Sequence, residues 1–403
     1  RYNSYFGATA GYRGGPGIHQ TYIGGEAGFY ATGSYNTFVG SQAGEGGTTS
    51  APYSSGQYNT AIGYNAMKGM TSAVSNVAVG VSALEDITSA TSNVGVGLNA
   101  GANITSGGYN TILGREAGIT ITDTANTVLI GAYAGDSINS TDANGTVAIG
   151  YSAGASITSG QNNTIIGYQA GDAITDGDSS TIVGYQAGSA ITAAGETGST
   201  LIGKWAGKSL TSGGYNTAIG RGAMINATTA NSCIAIGDQA AQYIPAATNI
   251  TQLIAIGASA LGDASTIDTS ADGSVALGAG AGNNAGPLAG NFVIIGRYAG
   301  QKLNGVYATH IGENAGRYAS GSSNTFVGTN AGQGGTSSAP FSTGIQNTAM
   351  GHNALTNNTG GNYNVAIGYH AAYSGTTAGG NVAIGYRANY SNSTSGTNVV
   401  IGY

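Results

Sequence analysis

The chain has 403 residues, of which 73 are Gly, 5 Pro and 1 Cys, and only 7% carry charge, against about 7% Gly and about 25% charged residues in ordinary proteins. With 40% hydrophobic residues it does not fit the charged, weakly hydrophobic class of disordered chains, and glycines off a three-residue period exclude collagen. A net charge of −6 with 11 scattered Lys and Arg leaves no basic stripe for nucleic acid, and no run reaches the roughly 18 apolar residues of a membrane helix.

From the N-terminus onward one register recurs: an apolar residue, Gly, two variable residues, Ala. Its glycines begin at Gly7, Gly24 and Gly40, run through Gly63, Gly80, Gly97, Gly114 and Gly131, and continue past Gly167 to Gly402. The commonest step is 17 residues, as in 80 − 63. Three residues after each complete unit's glycine stands Ala, among them Ala66, Ala83 and Ala170, and seven residues after many of them an apolar residue such as Ile87, Ile104 or Ile174. A recurrence of this kind is the signature of a solenoid, whose coils stack in one dimension without dividing into domains. The whole of 1–403 therefore reads as one repeat array, all-β, a parallel β-solenoid or β-roll of about 23 short coils.

Asn163 to Gly177 is a clean unit. It predicts two short β pieces, Thr164 to Tyr168 and Ala173 to Thr175, bounded by Gly and Asn, which tolerate the positive φ of a corner. No stretch holds helical i, i+3, i+4 spacing over three turns. Strand alternation places Thr164 and Ile166 on one side, and the expectation is that Ile166 points inward with Ala170 and Ile174. The Ala is then small because space is limited, with Gly63, Gly80 and Gly167 as corners. So thin a core suggests that several chains assemble together.

A longer order overlies the coils. Residues 36–67 recur at 324–355, an offset of 324 − 36 = 288. Both copies carry an insertion, Gly46 to Tyr53 and Gly334 to Phe341, and insertions in solenoids map to loops that leave the coil. Tyr53 and Phe341, at the loop tips, are candidate contacts for a receptor or glycan, or else pack back over a neighbouring coil. Further irregular steps lie near Gly195, Pro245 and Asp263 to Asp272. Many of the 25 Tyr follow the repeat glycine directly, including Tyr64, Tyr151, Tyr168, Tyr185, Tyr369, Tyr386 and Tyr403. They predict an aromatic ladder that steadies the sheet and offers a second candidate for sugar contact.

No catalytic, metal-binding or cofactor-binding constellation emerges, and the chain reads as a non-enzyme. His19, His310, His352 and His370 fall in different coils. Gly207-Lys208-Ser209 lacks the glycine that a phosphate-binding loop needs at Ile202. Asp172, Asp176 and Asp178 do not follow a calcium-loop spacing and read as solvated turn residues. Trp205 reads as a surface or interchain contact and Cys233 as a small packed side chain. A single Cys permits no intrachain disulfide and does not fix the compartment. The chain opens with Arg1 rather than Met, so it reads as a processed chain or a piece of a longer one.

The strings NTAIGYNAM, NTIIGYQAG, NVAIGYHAA and NVAIGYRAN resemble the repeats of trimeric autotransporter adhesin heads. They are still more similar to the repetitive shafts of phage tail fibres. The resemblance covers essentially the whole chain and implies a parallel β-roll homotrimer on a virion or cell surface. Chaperone domain, coiled-coil stalk and membrane anchor are expected outside this sequence. The function so implied is a structural shaft holding a receptor-binding tip away from its base. The alternative is a subunit of an extracellular filament or matrix fibre. A homo-oligomer and a cell-surface glycan or receptor are the expected partners, with no nucleic acid, membrane insertion or cofactor.

Overall fold

The computed structural model describes all residues except 1, 16, 48–52, 193–197, 245–248, 264–265, 268–270, 289, 336 and 338–341. It divides into two compact units, Arg1–Ser199 and Thr200–Tyr403. Each is a parallel β-solenoid with a period near 17 residues. Among the described residues, the first has 11 three-residue strands, from Ser4–Phe6 to Thr181–Val183. The second has 12 in its main sheet, from Thr200–Ile202 to Val399–Ile401, and a separate two-residue parallel pair, Thr266–Ile267 with Pro287–Leu288. One short 3-10 turn, Thr141–Ala143, interrupts the first unit, its Asp142 amide donating to the Ser140 hydroxyl. No described helix is long and apolar enough to cross a membrane.

Equivalent residues pair in register from coil to coil. Thr60, Ala61 and Ile62 face Val77, Ala78 and Val79 in the first unit, and Val365, Ala366 and Ile367 face Val382, Ala383 and Ile384 in the second. Identical positions thus form columns, so each sequence rule becomes a spatial row. At the strand's end Gly63 has φ +138° and Gly167 φ +138°, and a Cβ on either would overlap the carbonyl of the glycine one coil on, Gly80 or Gly184. Conformation and close stacking together require glycine there.

Only one of the two expected β pieces is a strand. Residues 173–175 belong instead to a wall of consecutive tight turns. In the coil of Gly63, the Ala66 amide donates to Gly63 O at 3.4 Å and the Lys68 amide to Asn65 O at 3.2 Å. The third residues of these turns, Asn65 and Met67, have φ of +58° and +54°, the arrangement of type II turns. The remaining amides bond to the coils on either side, Gln169 N to Tyr151 O and Gly171 N to Ala187 O, both at 2.9 Å, so the turn wall is laddered between coils too.

The inward assignment of Ile166 is corrected. Ile165, the middle residue of its strand, is fully buried, while Ile166 is 36% exposed. Thr164 and Ile166 do share a face, but that face is the outer one. The reason is Asn163, which alternation puts on the same side as Ile165 and which is buried. Its Nδ2 crosses the coil to donate to Gly177 O at 2.6 Å, and its Oδ1 accepts from the Ser180 backbone amide of the next coil at 2.9 Å. The same bonds recur down the column, as from Asn76 to Ala90 O and from the Asn93 amide to Asn76, both at 2.9 Å. Buried backbone groups need partners, and the inward Asn supplies them for the segment that leads from the turns into the next strand.

The core otherwise consists of the strand's middle residue, the Ala at the turn and the apolar residue beyond it: Ala66, Ala83 and Ala170 are fully buried, and Ile174 nearly so. In a number of coils size is exchanged between two facing positions, though Ala148 with Gly154 and Ala276 with Gly282 are small at both. Where the strand's middle residue is Ala61, Ala78, Ala218, Ala255 or Ala349, the position four past the glycine is Met67, Leu84, Met224, Leu261 or Leu355, all buried. Where it is Phe38 or Phe326, that position is Gly44 or Gly332, whose added Cβ would lie 2.5 Å from the ring. Interiors pack at near-crystalline density, so a bulky group from one wall leaves room only for glycine on the other.

Candidate functional site

The surface features that remain are rows, since stacking repeats each outward position at the coil pitch. Along the strands, the first and third residues face outward. These are Thr, Val or Ile followed by Ile, Val, Leu or Met, as in Thr60 with Ile62, Val77 with Val79, Ile254 with Ile256, and Thr348 with Met350. Ile23, Ile62 and Ile166 in the first unit, and Ile256, Val293 and Met350 in the second, count among the exposed large hydrophobics. Each unit therefore carries an apolar strip on its sheet face. Exposed tyrosines border it, with Tyr58 before the strand Thr60–Ile62 and Tyr64 after it.

The tyrosine rows form stacks. Tyr151, Tyr168 and Tyr185 lie with successive ring centroids 5.2 and 5.4 Å apart and planes 15° and 10° from parallel. Tyr369, Tyr386 and Tyr403 repeat this at 5.2 Å in each step. A second row holds Tyr2, His19, Tyr35 and Tyr58. Such stacks strengthen a sheet by side-chain contact. They also bear on sugar recognition: a saccharide packs on an aromatic face, and within a stack those faces are already covered by the neighbouring rings.

The loop candidates separate. Tyr53 is half-buried, its ring 5.8 Å from that of Tyr30 and its hydroxyl accepting from Arg13 at 3.4 Å. It packs back over neighbouring coils rather than standing free. Phe341 lies outside the described residues, as do Gly195, Pro245 and part of 263–272.

Among the described residues, no group of three or more His, Cys, Asp or Glu is placed to hold a metal. Asp176 accepts from the Thr175 hydroxyl and Asp178 from the Gln161 amide, while Asp172 is half-buried and burial pushes its carboxyl up. His352 and His370 stack on neighbouring coils, and His370 Nε2 lies 3.0 Å from the Asn353 amide nitrogen. Trp205 is half-buried, with Lys204 Nζ 4.0 Å from its ring centroid. Cys233 occupies the buried Asn column, its amide donating to Asn216 Oδ1 at 3.0 Å, and burial pushes its thiol up to about 11. A thiol so protonated is a poor nucleophile.

One buried group had no signal in the repeat. His310 is the middle residue of the strand Thr309–Ile311 and is fully buried, stacked 4.9 Å from Phe326. Neither ring nitrogen has a hydrogen-bond partner, and burial pushes its pKa down from 6.5 to about 3. The 288-residue offset places it opposite Tyr22 of the earlier copy, stacked between Tyr5 and Phe38. Position in the coil, rather than residue type, identifies it as a core residue.

No protein-family model matches the chain, and no curated protein matches it.

Proposed function

We propose that this chain is the structural shaft of a phage tail fibre or bacterial surface adhesin, assembled as a homotrimer outside the cell or on the virion. In this reading it holds a receptor-binding tip away from its base and is not an enzyme. The observation that carries the reading is the apolar strip of Thr, Val, Ile and Met side chains on each unit's sheet face, bordered by tyrosines. Water-exposed apolar rows of this extent are unusual on monomers and favour burial against another surface. A second copy of the same chain offers a strip of the same pitch, so the rows match without further design. The β-solenoid fold and the repeat strings support a shaft, because coils add length without needing a new core.

The test is sedimentation equilibrium of the native chain and of Ile62→Lys with Ile166→Lys. Trimers are expected for the native chain, and the double variant should dissociate while keeping its β-sheet circular dichroism. A native monomer would overturn the assembly. Open-ended polymers in electron micrographs would replace the shaft with a filament subunit.

A further inference from the structure

The tyrosine stacks have a chemical consequence of their own. Tyr151, Tyr168 and Tyr185 are 45%, 47% and 45% exposed, so oxidants reach phenols whose rings are held nearly parallel at 5.2 and 5.4 Å. Tyr369, Tyr386 and Tyr403 are likewise exposed and stacked. We propose that these two rows are oxidative modification sites, at which a one-electron oxidant of the peroxidase class joins tyrosines of successive coils through dityrosine bonds.

The oxidant removes one electron and one proton from each of two neighbouring phenols. The resulting phenoxyl radicals carry spin at the carbons ortho to oxygen, and a carbon–carbon bond forms between one such carbon on each ring. The two ring hydrogens at those carbons leave as protons while both phenol oxygens regain theirs, restoring aromaticity. Two hydrogens are lost in all, and one hydrogen peroxide is reduced to two waters. Backbone stacking holds the second ring beside the first before oxidation, which replaces a diffusional encounter by a neighbouring-group reaction. Each bond then ties one coil covalently to the next, across 168 − 151 = 17 residues.

The same chain contains controls. Tyr64 occupies the equivalent place on its coil and is 52% exposed, but the residues at that place on the adjoining coils are Ser41 and Val81. Tyr109 is more exposed still. If exposure alone governed coupling, these would react ahead of Tyr151, Tyr168 and Tyr185.

The experiment refolds an equal mixture of 15N-labelled and unlabelled full-length chain together from denaturant, so that both forms share each assembly, treats it with peroxidase and hydrogen peroxide, then maps dityrosine peptides by mass spectrometry. Links Tyr151–Tyr168, Tyr168–Tyr185, Tyr369–Tyr386 and Tyr386–Tyr403 are expected, each within one isotopic species. They should form at least tenfold more often than any link through Tyr64 or Tyr109. Tyr168→Phe, which keeps the stacked ring, should abolish both links of the first row and leave the second unchanged. Isotopically mixed links, a yield that follows exposure, or no dityrosine where free N-acetyltyrosine couples would each overturn the proposal.

Discussion

Replacing His310 with Phe isolates one ionisable group in the core. The folded imidazole has its pKa pushed down to about 3 from 6.5, with burial as its cause. Between these values the unfolded chain binds a proton that the folded chain refuses. The contribution is therefore complete above pH 6.5 and is lost as pH falls towards 3. One pH unit corresponds to 1.36 kcal/mol, so the loss is about 2 kcal/mol at pH 5 and approaches about 5 kcal/mol at pH 3. His310→Phe should abolish this dependence, since Phe326 stacks one coil away and Phe38 occupies the matching place in the other copy. The assay is native-state hydrogen exchange of the strands Val293–Ile295, Thr309–Ile311 and Thr325–Val327, corrected for intrinsic rates, from pH 8 to pH 4. Protection in the native chain should fall relative to the variant by roughly thirtyfold at pH 5, the same free energy expressed as an opening constant. Parallel profiles for the two proteins would refute the reasoning.

Two further substitutions test the interior, with a third on the outer face as their control. Ala170→Leu should destabilise the first unit by about 1–3 kcal/mol through overpacking, while Ile166→Thr on the outer face of the neighbouring strand should change the dissociated chain by less than about 0.5 kcal/mol; denaturant midpoints decide between them. Asn76→Ala removes the acceptor of the Asn93 amide and the donor to Ala90 O. It should lower stability by about 1–3 kcal/mol, the buried Asn93 amide being left without its acceptor while Ala90 O keeps the Val74 amide, with a matching loss of exchange protection at Asn93.

The sequence alone determined that this chain is a parallel β-solenoid, because stacking turns one recurrent step into one recurrent corner. The glycine column and the space-limited Ala recur in coil after coil, and the apolar position of Ile174 in many of them, so repetition made them visible. Which face of the strand lies inside was decided by tertiary structure. Alternation pairs Thr164 with Ile166 and Asn163 with Ile165 but does not say which pair is buried, and hydrophobicity favours the wrong answer for Ile166. Burial of Asn163 is favourable only once the segment of Gly177, leading into the next strand, lies opposite to accept its amide. The turn wall itself was misread as a second strand, since Ala173 to Thr175 satisfies β propensity while its hydrogen bonds run through turns and between coils. His310 and Tyr22 became core residues for the same reason. Gly316 and Gly28 leave the space for their rings, and that exchange of volume between two walls exists only once the coil has closed.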